Sequence, residues 1–384
     1  RDVAVTGVQT CALPISPLAY FILFHWFNRF IFTNILVAYN KIPISDDLIT
    51  QETTVEGALS LFQKISEDTN YWAVIGPHKF DTCIPQPVWN VLKGIFKVMA
   101  DFEFSKISKD VLSEVIKSAV LSSIKKTAGL YATPENVAEL LVRLAMNEKD
   151  GQTIDPFCGT GTIPEKVLEI KSEYHISGKE AVQQTWASDK FAFPIQVATL
   201  AIASPQVLDE PLKVFVHDAF TLFEGELIEL RNPKNGENQN YPIPRFSTIV
   251  SNLPFVRFED LAALNPDVLT KINSFYLNHS IPRKERLSGR GDLYTYVPFL
   301  IYDLLLPGGY LGVIISNSWL STESGKSFSH LLRKFYNIEQ IVISGKGRWF
   351  HNTDVVTNLL ICRKLNVNEQ NTDENKTSDR KSVV

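Results

Sequence analysis

Two short stretches of this chain combine residue types suited to chemistry. The first is Asp155-Pro156-Phe157-Cys158-Gly159-Thr160-Gly161-Thr162, after the apolar stretch Gln152–Ile154 and before a helix with Pro164 near its first turn. Glycines at 159 and 161 permit a tight turn and leave the backbone open to a ligand. The pattern does not match the phosphate-binding GxxxxGK[ST] loop. A carboxylate at the head of the loop is unsuited to cradling phosphate. It suits a cationic ligand, or one with an ammonium group, such as the methionine part of S-adenosyl-L-methionine. Alone, the loop stays open to three readings: a methyl-donor site, a site for another nucleotide, or a plain tight turn.

The second stretch is Ser251-Asn252-Leu253-Pro254-Phe255, directly after the apolar run Phe246–Val250. The exocyclic amine of adenine is a poor nucleophile, because its lone pair is delocalised into the ring. Acceptors for both of its N–H groups favour a pyramidal nitrogen and hold it in line with a methyl group. The Asn252 side-chain oxygen and the Leu253 carbonyl are candidate acceptors. Phe255 can stack on a base swung out of a duplex. Such catalysis works by positioning and electrostatics and needs no general base. The bland alternative is a strand-ending turn with a packed phenylalanine.

These residues need a scaffold. Residues 17–128 read as mostly helical, with apolar residues at helical spacing such as Val111, Leu112, Val115, Ile116, Ala119 and Val120. Beyond about residue 130, short apolar runs at 151–156, 184–189, 213–217, 246–251, 309–315, 338–344 and 355–363 alternate with helical stretches. That alternation predicts an α/β domain with a mainly parallel sheet. Both chemical stretches then sit at strand ends. The polar segment Arg231–Pro244 reads as a surface loop, and 366–378 as a linker without apolar period.

Both ends of the chain are set apart. Val5–Ile15 and residues 379–384 back-translate to strings resembling short-read sequencing adapters, so 1–16 and 379–384 are excluded from the fold reasoning. The composition, 45% hydrophobic and 21% charged with net charge −4, is that of an ordinary globular protein and advertises no basic nucleic-acid surface. Cys83, Cys158 and Cys362 show no CxxC spacing, which predicts a reducing cytosol and no structural zinc. Residues 18–39 are aromatic-rich, but His25, Asn28, Arg29 and Asn34 interrupt them; a buried helix is expected rather than a membrane span.

Taken together, the two motifs resemble those of the adenine-specific, amino-type DNA methyltransferases of restriction-modification systems. The donor loop of that family resembles DPFCGTGT, and its catalytic motif is (D/N)PP(Y/F). Leu253 departs from the usual proline, and adenine dimethyltransferases acting on ribosomal RNA are similar in carrying Asn-Leu-Pro-Tyr. The resemblance covers about residues 105–364 and implies a Rossmann-like class I methyltransferase fold. It implies a mainly parallel seven-stranded sheet with helices on both faces, after an N-terminal helical region. It further implies a catalytic domain over 129–364 and a linker at 365–378 leading to a target-recognition domain absent from this fragment.

By the same resemblance, Asn252, Leu253, Pro254 and Phe255 form the catalytic motif. Tyr131, Thr133 and Pro134 stand where the family contacts the methionine end of S-adenosyl-L-methionine; read as residues, Thr133 is equally a helix N-cap with Pro134 at the first helical position. Asp155 to Gly161 form the donor loop. Asp189 is expected at the donor's ribose and Asp218 at its adenine amine, with exposed helix caps as the alternatives. Trp349 and Phe350 are candidates for a second face against the base. The implied partners are double-stranded DNA and a specificity or nuclease subunit, in the cytoplasm. Two other readings stay open: an RNA adenine methyltransferase of the same fold and a non-catalytic binding subunit.

Overall fold

Runs rich in Val, Ile and Leu supply the strands of one sheet, because branched side chains pack well on a pleated surface. The computed structural model describes residues 19–101 and 133–366, apart from 20–21, 24, 39–41, 43–47, 51, 70–71, 77–79, 204–206, 208, 234–236, 345–347 and 351–354. Both adapter-like ends and Tyr131 therefore lie outside the described residues. In chain order the strands are β1 (Thr153–Asp155), β2 (Thr185–Asp189), β3 (Lys213–Val216), β4 (Leu227–Arg231), β5 (Asn238–Pro242), β6 (Phe246–Asn252), β7 (Leu305–Ser316), β8 (Tyr336–Ile343) and β9 (Thr357–Lys364).

Seven of them form a single sheet in the order β3-β2-β1-β6-β7-β9-β8. The first five are parallel, and β9 runs antiparallel to both of its neighbours. This is the architecture of class I methyltransferases. The chain builds outward from β1 to β3, then returns to lay β6 against the other side of β1. Such a switch point opens a crevice at the carboxyl ends of the two central strands.

The remaining pair, β4 and β5, is an antiparallel hairpin. It corrects the reading of Arg231–Pro244 as loop. The sequence Asn238-Gln-Asn-Tyr-Pro242 lacks an apolar alternation because neither of its faces is deeply buried. Backbone pairing alone makes it a strand. Pro307, Gly308 and Gly309 lie within β7. Phe246 and Thr248 of β6 pair with Leu305 and Tyr310, so the intervening residues of β7 bulge, with Gly308 at φ 76°.

Helices cover both faces. On one face lie α3 (Glu135–Ala145), α4 (Thr162–Glu173) and α5 (Ala192–Ile202). Ile314 and Leu359 point toward α3 and α4, while Leu311, Val313 and Ile315 point into the opposite core. That alternation is the two-residue period of a strand buried on both sides. Gly312 lets α3 approach closely, since a Cβ there would lie 2.4 Å from that of Ala145. The other face packs against α6 (Phe258–Leu264), α7 (Val268–Asn278) and α8 (Glu323–Phe335).

A second core belongs to the N-terminal region, built from α1 (Val55–Thr69), α2 (Gln86–Ala100) and a helical stretch at 25–38. Trp26, Phe30, Phe62, Trp89 and Phe96 interlock edge to face. Arg29 is fully buried yet paired, donating to both Asp81 oxygens at 2.8 and 2.7 Å and to the Ile75 carbonyl at 3.0 Å. This satisfies a charge that burial would otherwise penalise heavily. Residues 25–38 thus form a buried helix within the aromatic-rich stretch expected to supply one. Among the described residues, no helix is long and apolar enough to cross a membrane. The cluster meets the sheet domain through Val197 and through a His25 Nδ1–Gln196 Oε1 hydrogen bond of 3.0 Å, both on α5.

Candidate active site

At or just past the carboxyl end of each of β1, β2 and β3 stands an aspartate followed two residues later by a phenylalanine. The pairs are Asp155/Phe157 after β1, Asp189/Phe191 after β2 and Asp218/Phe220 after β3. In every case the carboxylate accepts a hydrogen bond from the backbone N–H of its phenylalanine, at 3.1, 2.9 and 2.9 Å. This local turn fixes the carboxylate at the strand tip and throws the aromatic ring forward. All six side chains line one cavity of about 490 Å³. The repetition was legible in the sequence, but Phe191 and Phe220 were not singled out there.

The loop after β1 is held on every side. Cys158 N donates to the Ser188 carbonyl at 2.9 Å and Gly159 N to Asp189 Oδ2 at 3.3 Å, tying the loop to β2. Gly159 and Gly161 take φ of 51° and 86°, a region that glycine enters without strain. Gly161 has a further reason to be glycine: a Cβ would lie 2.8 Å from the Ala198 Cα of α5. It therefore sits behind the loop, and the cavity is lined instead by Asp155, Pro156, Phe157, Cys158, Gly159 and Thr160.

Electrostatics sharpen the picture. Burial pushes the Asp155 carboxyl up to about 7, opposed by hydrogen bonds from the Ser251 hydroxyl and the Phe157 amide. Asp189 is also raised, again chiefly by burial. Two sealed carboxylates facing one cavity make it a place where positive charge is welcome.

The loop after β6 forms the opposite wall. Thr153 and Ile154 of β1 pair with Thr248 and Ile249 of β6, so both turns leave the sheet side by side. Asn252, Leu253, Pro254 and Phe255 line the same cavity as the donor-type loop. Leu253 is buried, and its N–H donates to the Ile314 carbonyl of β7 at 3.2 Å. A proline could not make that bond, which gives the departure from the usual motif a physical reason. Asn252 Nδ2 donates to Thr133 Oγ1 at 3.1 Å.

That last contact corrects one expectation. α3 starts at Glu135 with Pro134 in the cap position and no side-chain cap bond, so Thr133 does not cap it. Its hydroxyl serves Asn252 instead, and Thr133 lines the cavity while Pro134 does not. Proline at the cap supplies an extended φ/ψ but no acceptor, which is why the capping argument misplaced the boundary. Asp189 and Asp218 bond the amides of nearby phenylalanines but line the cavity, rather than standing as exposed caps.

Beyond Phe255 lies a second cavity of about 340 Å³, sharing Phe255 and Val256 with the first. Its polar wall includes Asp292, Tyr294, Ser316, Asn317 and Ser318. The Tyr294 and Ser318 hydroxyls lie 2.9 Å apart, and Asn317 Oδ1 accepts from Asn358 Nδ2 at 2.7 Å. Sequence reading missed these residues because serines and asparagines after a strand look like any turn. Phe350 is buried with its ring 6.3 Å from that of Phe255 at 74°, an edge contact that braces Phe255 from the core side.

Fold and site together define a class I methyltransferase framework with two motif loops facing one crevice. Sequence comparison narrows this. Residues 212–350 match the Eco57I restriction-modification methylase family, and residues 125–210 match an RMKL-like methyltransferase domain. The chain is 24% identical over 258 residues to the type II methyltransferase M.BanIII of Aneurinibacillus aneurinilyticus, covering 63% of this chain and 40% of that protein. It is 24% identical over 244 residues to the type I restriction enzyme MjaVII methylase subunit of Methanocaldococcus jannaschii, covering 62% and 35%. Among solved structures, one from Listeria monocytogenes assigned as a class I S-adenosylmethionine-dependent methyltransferase superposes with TM-score 0.54 at 14% identity, covering 94% of this chain and 91% of that one. These matches make the chain similar to methyltransferases of restriction-modification type. It spans less than half the length of these two curated relatives.

Proposed function

We propose that this chain transfers a methyl group from S-adenosyl-L-methionine to the N6 amine of adenine in double-stranded DNA, as part of a restriction-modification system. The observation that carries the reading is the shared crevice. The Asp155 and Asn252 turns leave adjacent strands, line one cavity, and are joined by a 2.6 Å hydrogen bond from Ser251 to Asp155.

The residues present fit the donor. The cavity's volume lies in the usual range for small-molecule sites, and its buried carboxylates answer a ligand with positive charge and hydroxyl donors. Asp155 would face the ammonium, Asp189 the ribose hydroxyls, and Asp218 the adenine amine. Phe191 and Phe220 offer flat faces to the adenine ring. When bound, the donor supplies a methyl group on a positively charged sulfur.

On the target side, the Asn252 side chain and the Leu253 carbonyl accept the two N–H bonds of the adenine amine. The Thr133 hydroxyl fixes which way the Asn252 carboxamide faces. Phe255, braced by Phe350, presents a face on which an extruded base stacks. The polar second cavity gives room for the rest of that nucleotide. With the donor bound, the amine would gain the methyl as the carbon–sulfur bond breaks to leave a neutral thioether, and would shed one proton to water. Rate acceleration then comes from alignment and from acceptors placed where positive charge develops.

In this reading residues 129–364 are the catalytic domain, with the N-terminal helical region packed on α5. The type I methylase subunit among the relatives supports a companion subunit as a further partner.

The test is incorporation of a tritiated methyl group from labelled donor. Duplex DNA and ribosomal RNA are offered separately, and labelled nucleosides are identified after digestion. Label in N6-methyladenine of DNA, lost in Asn252→Ala, is the expected result. Label in RNA alone would move the assignment to an RNA methyltransferase. Equal incorporation by Asn252→Ala would remove the catalytic role from this motif.

A further inference from the structure

Ser251 stands immediately before the Asn252 motif, on the segment of β6 that lies against β1. Its hydroxyl donates to Asp155 Oδ1 at 2.6 Å. Neither partner is in contact with bulk water: Ser251 is 0% and Asp155 2% exposed. A hydroxyl-to-carboxylate bond this short is charge-assisted and stronger than a neutral one. An alanine would fill a sealed strand position without a polar group to satisfy, so a hydroxyl here has a use beyond packing.

The bond spans the crevice's two halves. Asp155 opens one turn, and Ser251 immediately precedes the other. Asp155 otherwise accepts from Phe157 N at 3.1 Å. The titratable groups facing it are Asp189 from β2 and Cys158 from its own loop, and a charge on either opposes a charge on Asp155. Burial works in the same direction, whereas the Ser251 hydroxyl favours the ionised form.

We propose that Ser251 is a positioning residue that couples the two halves: its hydroxyl holds Asp155 as the carboxylate a cationic donor requires, and through the same bond it seats the Asn252 turn at the donor's end of the crevice. This rests on the methyl-donor reading above.

The experiment measures binding of S-adenosylhomocysteine by calorimetry across pH 6 to 9, with wild type, Ser251→Ala and Ser251→Thr. Affinity of the wild type is expected to weaken as pH falls below about 7, where Asp155 takes up its proton. In Ser251→Ala the midpoint moves upward, because the carboxylate has lost a donor. At pH 7.5 the variant binds about 3- to 10-fold more weakly, and the gap closes by pH 9. The ligand's own amine titrates alike in every arm and drops out of the difference. Ser251→Thr retains the hydroxyl and restores the wild-type curve. At saturating donor, kcat of Ser251→Ala on DNA falls about tenfold with a smaller change in KM, since Asn252 has lost its seat.

Identical curves and identical kcat would overturn the proposal. So would a loss of affinity equal at every pH, which marks a packing role only. Should Ser251→Ala fail to fold, the wild type carries the test: ligand binding at pH 6 to 7 must release a proton, read from calorimetry in buffers of different ionisation heat, and no release refutes it. Wild type that binds no S-adenosylhomocysteine at all defeats the methyl-donor reading itself, which separates the two failures.

Discussion

The two walls of the crevice are built differently. The turn after β1 is fastened to β2 by the Cys158 amide on the Ser188 carbonyl and the Gly159 amide on the Asp189 carboxylate, by its own Phe157 amide on Asp155, and by a glycine wedged against α5. The turn after β6 is reached by side chains as well: the Ser251 hydroxyl and the Asn252–Thr133 contact join the Leu253 amide. Phe255 remains partly exposed between two cavities. A small ligand of constant shape can be met by a rigid socket. In the proposed reading the target wall meets a base still attached to a polymer, and it does so with side-chain contacts.

That contrast can be broken by substitution. The largest effect is expected from Asn252→Ala, which removes an acceptor needed only as the amine reacts. Methylation should fall about 100- to 1,000-fold, with donor affinity within about threefold. Comparable losses in both would mean that the walls do not act separately. Next comes Asp189→Asn, where donor affinity should fall about 10- to 100-fold while DNA binding, read by mobility shift, stays near wild type.

Leu253→Ala tests the target wall's main anchor. Emptying a buried leucine site should cost about 2–5 kcal/mol, read by denaturant unfolding. A cost below about 1 kcal/mol would show that the turn is held elsewhere.

The smallest effect carries a sign of its own. Burial raises the Asp155 carboxyl from the ordinary carboxylate range to about 7. Below about pH 4 it is protonated in both folded and unfolded chains and contributes nothing. Between pH 4 and 7 the folded state keeps a proton that the unfolded state gives up, so stability falls as pH rises, and the loss is complete above 7. Asp155→Asn should therefore be more stable than wild type at pH 8, by about 1–3 kcal/mol, while binding donor poorly. Lower stability of the variant at pH 8 would mean that the Ser251 bond outweighs the burial.

Much of this was legible in the residues. All seven strands of the main sheet fall where apolar runs stood; the inner strands are largely apolar because both of their faces are covered. The two chemical turns were legible because glycine, proline and a strand-ending carboxylate each force a specific backbone. The hairpin β4–β5 was not, since its polar strand is stabilised by backbone pairing rather than by burial. Thr133 misled because a threonine before proline resembles a cap, and its true partner is 119 residues away. Ser251 stood in the second stretch without a role for a similar reason: its importance lies in a contact with β1, and a lone serine leaves no local pattern.

Helix α5 has apolar residues around much of its circumference rather than along one stripe. Its inner side covers β2 and β3, and its outer side, with Val197 and Gln196, is sealed by the aromatic cluster of the N-terminal helices. Phe191, at the head of the same helix, reaches into the donor cavity. Trimming the protein to begin near residue 133 would strip this lagging from a greasy rod. The excised domain would be expected to clump.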